Sequence, residues 1–209
     1  MTEIDWYFDV ISPFAYLQFP RLDEVPAGIQ VNYRPVLFAG LLNHWGQLGP
    51  AEIEAKKVFT YQSCHWQARK LGLPFRLPSA HPFNPLRALR LAIAMGATRE
   101  AAGAMLDLVW KDGLRPDDDA DWSAMKETLG IEDADQRIAD PEVKETLRKN
   151  GEKALAAGVF GVPTSIAGGR LFWGVDSTDF LLDYLADPAL FDEPEMARLE
   201  TLPEAASRT

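Results

Sequence analysis

Ile4, Trp6, Phe8 and Val10 alternate with Asp5, Tyr7 and Asp9. This period of two predicts a strand with one face fully apolar. Phe14, Leu17, Arg21, Leu22 and Val25 then fall at helical spacing and stop at Pro26-Ala27-Gly28. Pro20 lies inside that stretch, where it removes a backbone donor and predicts a kink. Ile29, Val31 and Tyr33 alternate with Gln30, Asn32 and Arg34, a second strand that ends at Pro35. A strand, a crossover helix and a strand of these lengths predict a parallel pair.

From Pro50 to about Gly158 the pattern becomes helical, broken at Gly72, Pro82 to Pro85, Gly113 to Pro116 and Gly130. Leu86, Leu89, Ile93 and Ala94 form one apolar stripe, and Met105, Leu106, Val109 and Trp110 another. Asp140-Pro141 opens a last polar helix with Val143 and Leu147 inward. Strand character returns at Thr164–Ala167 and Arg170–Trp173, around Gly168-Gly169, a hairpin signal. Asp176 or Ser177 is the expected cap of a helix carrying Phe180, Leu181, Tyr184 and Leu185. The polar tail after Phe191 reads as loosely ordered or as an oligomer contact. The order β-α-β, helical block, β-β-α predicts an α/β, thioredoxin-like fold with a large all-helical insertion domain. Residues 1–40 and 158–209 would form the discontinuous core and 41–157 the insertion.

Composition narrows the partners. The 209 residues are 47% hydrophobic and 25% charged, with a net charge of −10 and no basic cluster. Nucleic acid and anionic membrane surfaces are therefore excluded as expected partners. No apolar run approaches the roughly 20 residues of a membrane-spanning helix. The start, Met1-Thr2-Glu3-Ile4-Asp5, does not read as a secretory signal, and the single Cys64 permits no internal disulfide. The expected compartment is the cytoplasm.

Two places carry candidate chemistry. Ser12-Pro13 stands where the first strand hands over to the first helix. Ser12 reads either as an ordinary N-cap or as part of a site for an anion, such as a thiolate, at a helix start. With no cysteine at that position, a thiolate would have to arrive with a ligand. Val162-Pro163 reads either as a proline at the start of a strand or as a cis bond that presents the Val162 main chain to an extended ligand.

"FDVISPFAYL" (8–17), "HPFNPLRALRLA" (81–92) and "GVFGVPTSIAGGRLFWGVDS" (158–177) together resemble the 2-hydroxychromene-2-carboxylate isomerase family. That family is related to kappa-class glutathione transferases within the DsbA-like thioredoxin superfamily. Where DsbA-type oxidoreductases carry Cys-x-x-Cys, this chain has Ser12-Pro13-Phe14-Ala15, so dithiol exchange at this site is impossible. The resemblance implies a glutathione-dependent isomerase, cytoplasmic and homodimeric, with glutathione as cofactor. It implies that Ser12 hydrogen-bonds the glutathione sulfur and acts as the catalytic residue. The ligand backbone would lie along Val162, and its γ-glutamyl end near Trp173, Gly174, Val175 and Asp176. Ser177 stands where relatives often have arginine.

The implied substrate is an unsaturated aromatic keto acid, to which the glutathione thiolate adds reversibly. The family's lysine in the loop after the second strand is replaced by Leu41-Leu42-Asn43-His44-Trp45. Its Asn-Arg pair beyond Gly-Pro is replaced by Ala51-Glu52-Ile53. His44, Lys56, Lys57, Asn84 and Arg87 are the candidates to compensate, with Asn84 first because it separates two prolines in a loop expected to face the cleft. The alternatives are a kappa-like transferase, a glutathione- or peptide-binding module without turnover and, weakest, a redox enzyme using Cys64 alone. No metal site is expected, since His44, His65 and His81 lack ligand spacing and the acidic run 117–121 lacks the calcium-loop glycine and glutamate. Cys64 is expected to be buried and inert, and Trp66, Trp110 and Trp122 to be core residues.

Overall fold

Strand β1, Glu3–Phe8, is the hub of the molecule. The computed structural model describes residues 3–206. β1 pairs in parallel with β2 (Gln30–Pro35) on one side, Ile4 opposite Val31 and Trp6 opposite Tyr33. On its other side it pairs antiparallel with β3 (Thr164–Ala167), which continues antiparallel into β4 (Arg170–Trp173). The sheet order β2-β1-β3-β4 realises the thioredoxin-like arrangement. Gly168 and Gly169 both take positive φ, 55° and 78°, as a tight two-residue hairpin requires.

Ile4, Trp6 and Phe8 are wholly buried on one face of β1. The other face is covered as well: Tyr7 packs with Val36, Leu41, Ala154 and Val159. Burial on both faces suits a central strand. Helix α1, Pro13–Gln18, gives way to a 3-10 turn at Phe19–Glu24 rather than continuing as one kinked helix. Pro20, lacking an N–H, cannot extend the α ladder and sits in the first turn of the tighter helix.

Helix α2, Phe38–Trp45, occupies the stretch expected to be a loop, and it closes on Gly46 in the left-handed region. The helical block follows as α3 (Glu54–Leu71), α4 (Leu86–Ala94), α5 (Arg99–Trp110), α6 (Asp119–Leu129), α7 (Ala134–Ala139) and α8 (Pro141–Ala156). The α5 stripe is the expected one: Met105, Leu106, Val109 and Trp110 share one core with Trp6 and Phe8. Helix α4 instead buries Ala88, Leu89, Leu91 and Ala92, leaving Leu86 and Ile93 of the expected stripe partly buried and Ala94 outside the core. Trp122 is buried too, but Trp66 is 57% exposed under the Lys70 ammonium. Only Cys64 and Ala68 of α3 are buried, so this helix rests on a narrow stripe that excludes Trp66.

The acidic run resolves into caps and ion pairs. Asp118 caps α6, Asp119 pairs with Arg87 at 2.9 Å, and Asp117 pairs with Arg115. Helix α9, Thr178–Ala186, packs Leu181 and Tyr184 on Phe172. The tail beyond Phe191 forms a short helix α10, Pro194–Leu199, and Arg170 pairs with Glu200. No helix among the described residues is long and apolar enough to cross a membrane.

Candidate active site

Beyond Phe8 the chain makes a tight turn into α1, and Asp9 organises it. The Ser12 N–H donates to the Asp9 carbonyl (3.0 Å), and the Ile11 N–H donates to Asp9 Oδ1 (3.0 Å). Asp9 Oδ2 accepts the N–H of Phe38 at the start of α2 (2.9 Å). The Asp9 side chain is sealed from water, and burial pushes its carboxyl from 3.8 up to about 7 against the pull of both N–H donors.

Ser12 occupies the N-cap position of α1 without capping it. Its hydroxyl instead donates to the carbonyl of Val162, 3.2 Å away and 150 residues later. The two separate sequence candidates are therefore hydrogen-bonded neighbours. Six residues of α1 supply fewer than two turns, so the axial field available at Ser12 is small.

The Val162-Pro163 bond is cis, and the Pro163 carbonyl accepts the Gly174 N–H at 2.9 Å. Thr164 Oγ1 donates to the Gly161 carbonyl (2.7 Å). Trp173, half exposed, lies edge-on to Phe160 at 5.0 Å. A Cβ on Gly161 would overlap the Trp173 indole, so this close approach requires glycine. The buried Gln18 fixes the next turn. Its Nε2 donates to the Gly174 carbonyl (3.0 Å) and to Thr178 Oγ1 (3.1 Å), while its Oε1 accepts the Trp6 indole N–H (2.8 Å). Neither Asp176 nor Ser177 caps α9: a 3-10 turn, Val175–Ser177, intervenes, and the Ser177 hydroxyl donates to the Gly174 carbonyl.

These residues open on one cleft of about 920 Å³. Ser12, Val162, Trp173, Gly174, Val175 and Asp176 all line it. Phe14, Phe38, Leu42, Leu48, Phe59 and Phe160 give it an apolar wall. Lys56 is the one Lys or Arg among the described lining residues, and no ion pair among them engages it. Asn84 is not part of the lining. Its side-chain carbonyl accepts the Leu86 N–H at the start of α4, and its own N–H donates to Asp117. The local pull of a helix start outweighs the cleft for this residue. His44, Lys57 and Arg87 also lie outside the lining.

Four polar residues escaped the sequence reading: Asp9, Gln18, Tyr61 and His81. Tyr61 and His81 also line the cleft, with Tyr61 Oη 2.8 Å from His81 Nδ1 and His81 Nε2 2.8 Å from the Ile11 carbonyl. Only the "HPFNP" stretch flagged His81, and nothing local distinguishes Tyr61 or Gln18 from packing residues. Cys64 is fully buried, and burial pushes its thiol up to about 12, so it remains a thiol at neutral pH. Among the described residues no three His, Cys, Asp or Glu side chains are grouped to hold a metal ion.

Comparison with known proteins gives a consistent relationship. A family model described as a DSBA-like thioredoxin domain matches residues 3–186. Over 194 residues the chain is 31% identical to a 2-hydroxychromene-2-carboxylate isomerase of Sphingobium xenophagum, covering 88% of this chain and 98% of that protein. It is 25% identical over 207 residues to Glutathione s-transferase kappa 2 of Caenorhabditis elegans, with coverages of 88% and 92%. A solved structure of 2-hydroxychromene-2-carboxylate isomerase superposes with a TM-score of 0.73 at 23% identity, over 93% of this chain and 98% of that one.

Proposed function

Because this chain belongs to the DSBA-like thioredoxin domain family, with 2-hydroxychromene-2-carboxylate isomerases among its relatives, we propose that it is a glutathione-dependent isomerase of an unsaturated aromatic keto acid. The observation that carries this reading is the Ser12 hydroxyl resting on the Val162 carbonyl at the rim of an apolar cleft. In this position the family's Cys-x-x-Cys frame holds no sulfur, so the reactive sulfur comes with the ligand.

Glutathione lies along Val162 with its cysteinyl N–H directed to the Val162 carbonyl. That contact competes for the acceptor Ser12 now uses, and it frees the hydroxyl to turn to the sulfur. A donor aimed at the sulfur favours thiolate over thiol. The γ-glutamyl end reaches the turn that Gln18 holds, where the Asp176 carboxylate meets its ammonium. The thiolate then adds to the alkene carbon β to the substrate ketone, leaving a single bond. That bond rotates, and elimination of the thiolate restores the alkene with changed geometry. Glutathione is regenerated, and the protein contributes orientation and an activated nucleophile. Lys56 takes the substrate carboxylate in place of the family cations this chain lacks, a role supported by its being the one Lys or Arg among the described lining residues.

A second reading, conjugation of glutathione to a neutral electrophile, gains support from the kappa transferase relative and from the single ammonium in a cleft that also holds Glu52 and Asp176. One experiment separates the readings. Protein saturated with glutathione is scanned near 240 nm at pH 7, and turnover of 2-hydroxychromene-2-carboxylate is then followed. Thiolate absorbance that disappears in Ser12→Ala, together with isomerisation, is the expected result. Thiolate without isomerisation moves the assignment to the transferase, and no thiolate in the wild type removes both.

A further inference from the structure

One pair of cleft residues, Tyr61 and His81, is given no role in the reading above. His81 Nε2 faces the Ile11 carbonyl at 2.8 Å, and a carbonyl can only accept, so the ring carries its proton on Nε2. Nδ1 then holds a lone pair, and the Tyr61 hydroxyl, 2.8 Å away, donates into it. The His81 carbonyl at 3.1 Å is a second acceptor for the same proton. Tyr61 lines the cleft, and its oxygen keeps lone pairs of its own. The imidazole is packed edge-on against Phe83 and tilted on Trp110, centroids 5.7 and 5.6 Å away, which fixes the ring. The charged groups felt by the pair, Glu54 and Lys57 on α3, neutralise each other in an ion pair of 3.1 Å.

We propose that Tyr61 is an acid–base catalyst facing the substrate, and that His81 is the positioning residue that takes and returns the Tyr61 proton. This rests on the isomerase reading above. 2-Hydroxychromene-2-carboxylate carries a hydroxyl and its ring oxygen on one carbon, a cyclic hemiketal. On opening, the hydroxyl proton passes to the Tyr61 oxygen as the Tyr61 proton passes to His81 Nδ1. The O–H electron pair forms the ketone, and the ring C–O bond breaks with its pair going to the aryl oxygen. The imidazolium keeps its Nε2 bond to Ile11, and its extra proton returns through Tyr61 to the phenolate. Nothing is oxidised or reduced. Burial holds His81 below its ordinary range and so favours the neutral ring that starts the cycle.

The test compares wild type, Tyr61→Phe, His81→Asn and the double variant on two substrates with glutathione. Isomerisation of 2-hydroxychromene-2-carboxylate needs the proton relay. Conjugation of 1-chloro-2,4-dinitrobenzene needs only thiolate and loses chloride. In Tyr61→Phe, kcat for isomerisation is expected to fall about 100-fold or more, with KM and glutathione affinity within about threefold and conjugation much less affected. His81→Asn gives a similar fall, and the double variant falls no further than either single one, because the two act as a unit. Thermal midpoints identify any variant that has lost its fold. Isomerisation by Tyr61→Phe within threefold of wild type overturns the proposal and leaves the isomerase reading standing. Equal losses on both substrates also overturn it, since the hydroxyl would then only shape the cleft. No isomerisation by the wild type overturns the reading and the proposal together.

Discussion

At the residue scale, Asp9 shows most clearly how position changes chemistry. Its carboxyl titrates near 7 because both oxygens are sealed from water, although two N–H donors oppose the shift. A folded value above the ordinary 3.8 means that folding holds the proton more tightly than the unfolded chain does. The contribution to stability is therefore complete below about pH 4, is lost as pH rises to about 7, and is flat beyond; for three pH units it is at most about 4 kcal/mol. In Asp9→Asn this slope should vanish. Denaturant midpoints from pH 4 to 8 should converge on wild type, or overtake it, toward the upper end. Parallel curves for the two proteins would contradict the assignment. Lys56 allows a second measurement: Lys56→Gln should raise KM for the anionic substrate about tenfold, with glutathione affinity unaltered. Ser12 was legible from its place before Pro13, but its actual partner was not, because Val162 lies 150 residues away. Asn84 shows the reverse case, since its side-chain carbonyl accepts an N–H only two residues along its own chain, outside the cleft lining.

At the scale of elements, period and breakers identified both strand pairs, the helical block and the Gly-Gly hairpin. They failed where the deciding group is distant. Helix α2 has no capping side chain of its own, and its first N–H is met by Asp9, 29 residues upstream. A local reading could see only an uncapped stretch with Gly40 inside it. The α1 stretch failed for a local reason: Pro20 converts the second half of an expected helix to a 3-10 turn. Gln18, the last residue of α1, joins that helix to β1 through Trp6 and to the Gly174 turn. Gln18→Leu keeps the volume and strands an indole N–H and a carbonyl. It should cost about 2–4 kcal/mol in chemical denaturation and weaken glutathione binding in calorimetry. A variant as stable and as tight as wild type would show that the turn holds itself.

For the whole molecule, the four-stranded sheet places the end of β1 and the start of β3 side by side, and α2 and α3 wall the space above them. Three large apolar side chains left exposed, Leu48, Phe59 and Trp173, border that space. Glutathione bridging both ends of the chain should act on global stability. At a hundredfold excess over Kd the gain is about 2.7 kcal/mol, or roughly 5–10 °C in Tm for a chain of this size. A thermal scan should find most of that shift missing in Ser12→Ala, and an undiminished shift would place the tripeptide elsewhere.

The bond from Ser12 to Val162 also has a consequence for how the protein is made. The residues that meet in the cleft leave the ribosome 150 positions apart, an interval of about 8–30 s at ordinary rates of synthesis. During that interval β1 has only its parallel neighbour, and its other edge stays open until β3 emerges. A nascent chain paused inside the helical block would present this bare strand edge, a surface that a holding chaperone can cover and that the finished protein never shows.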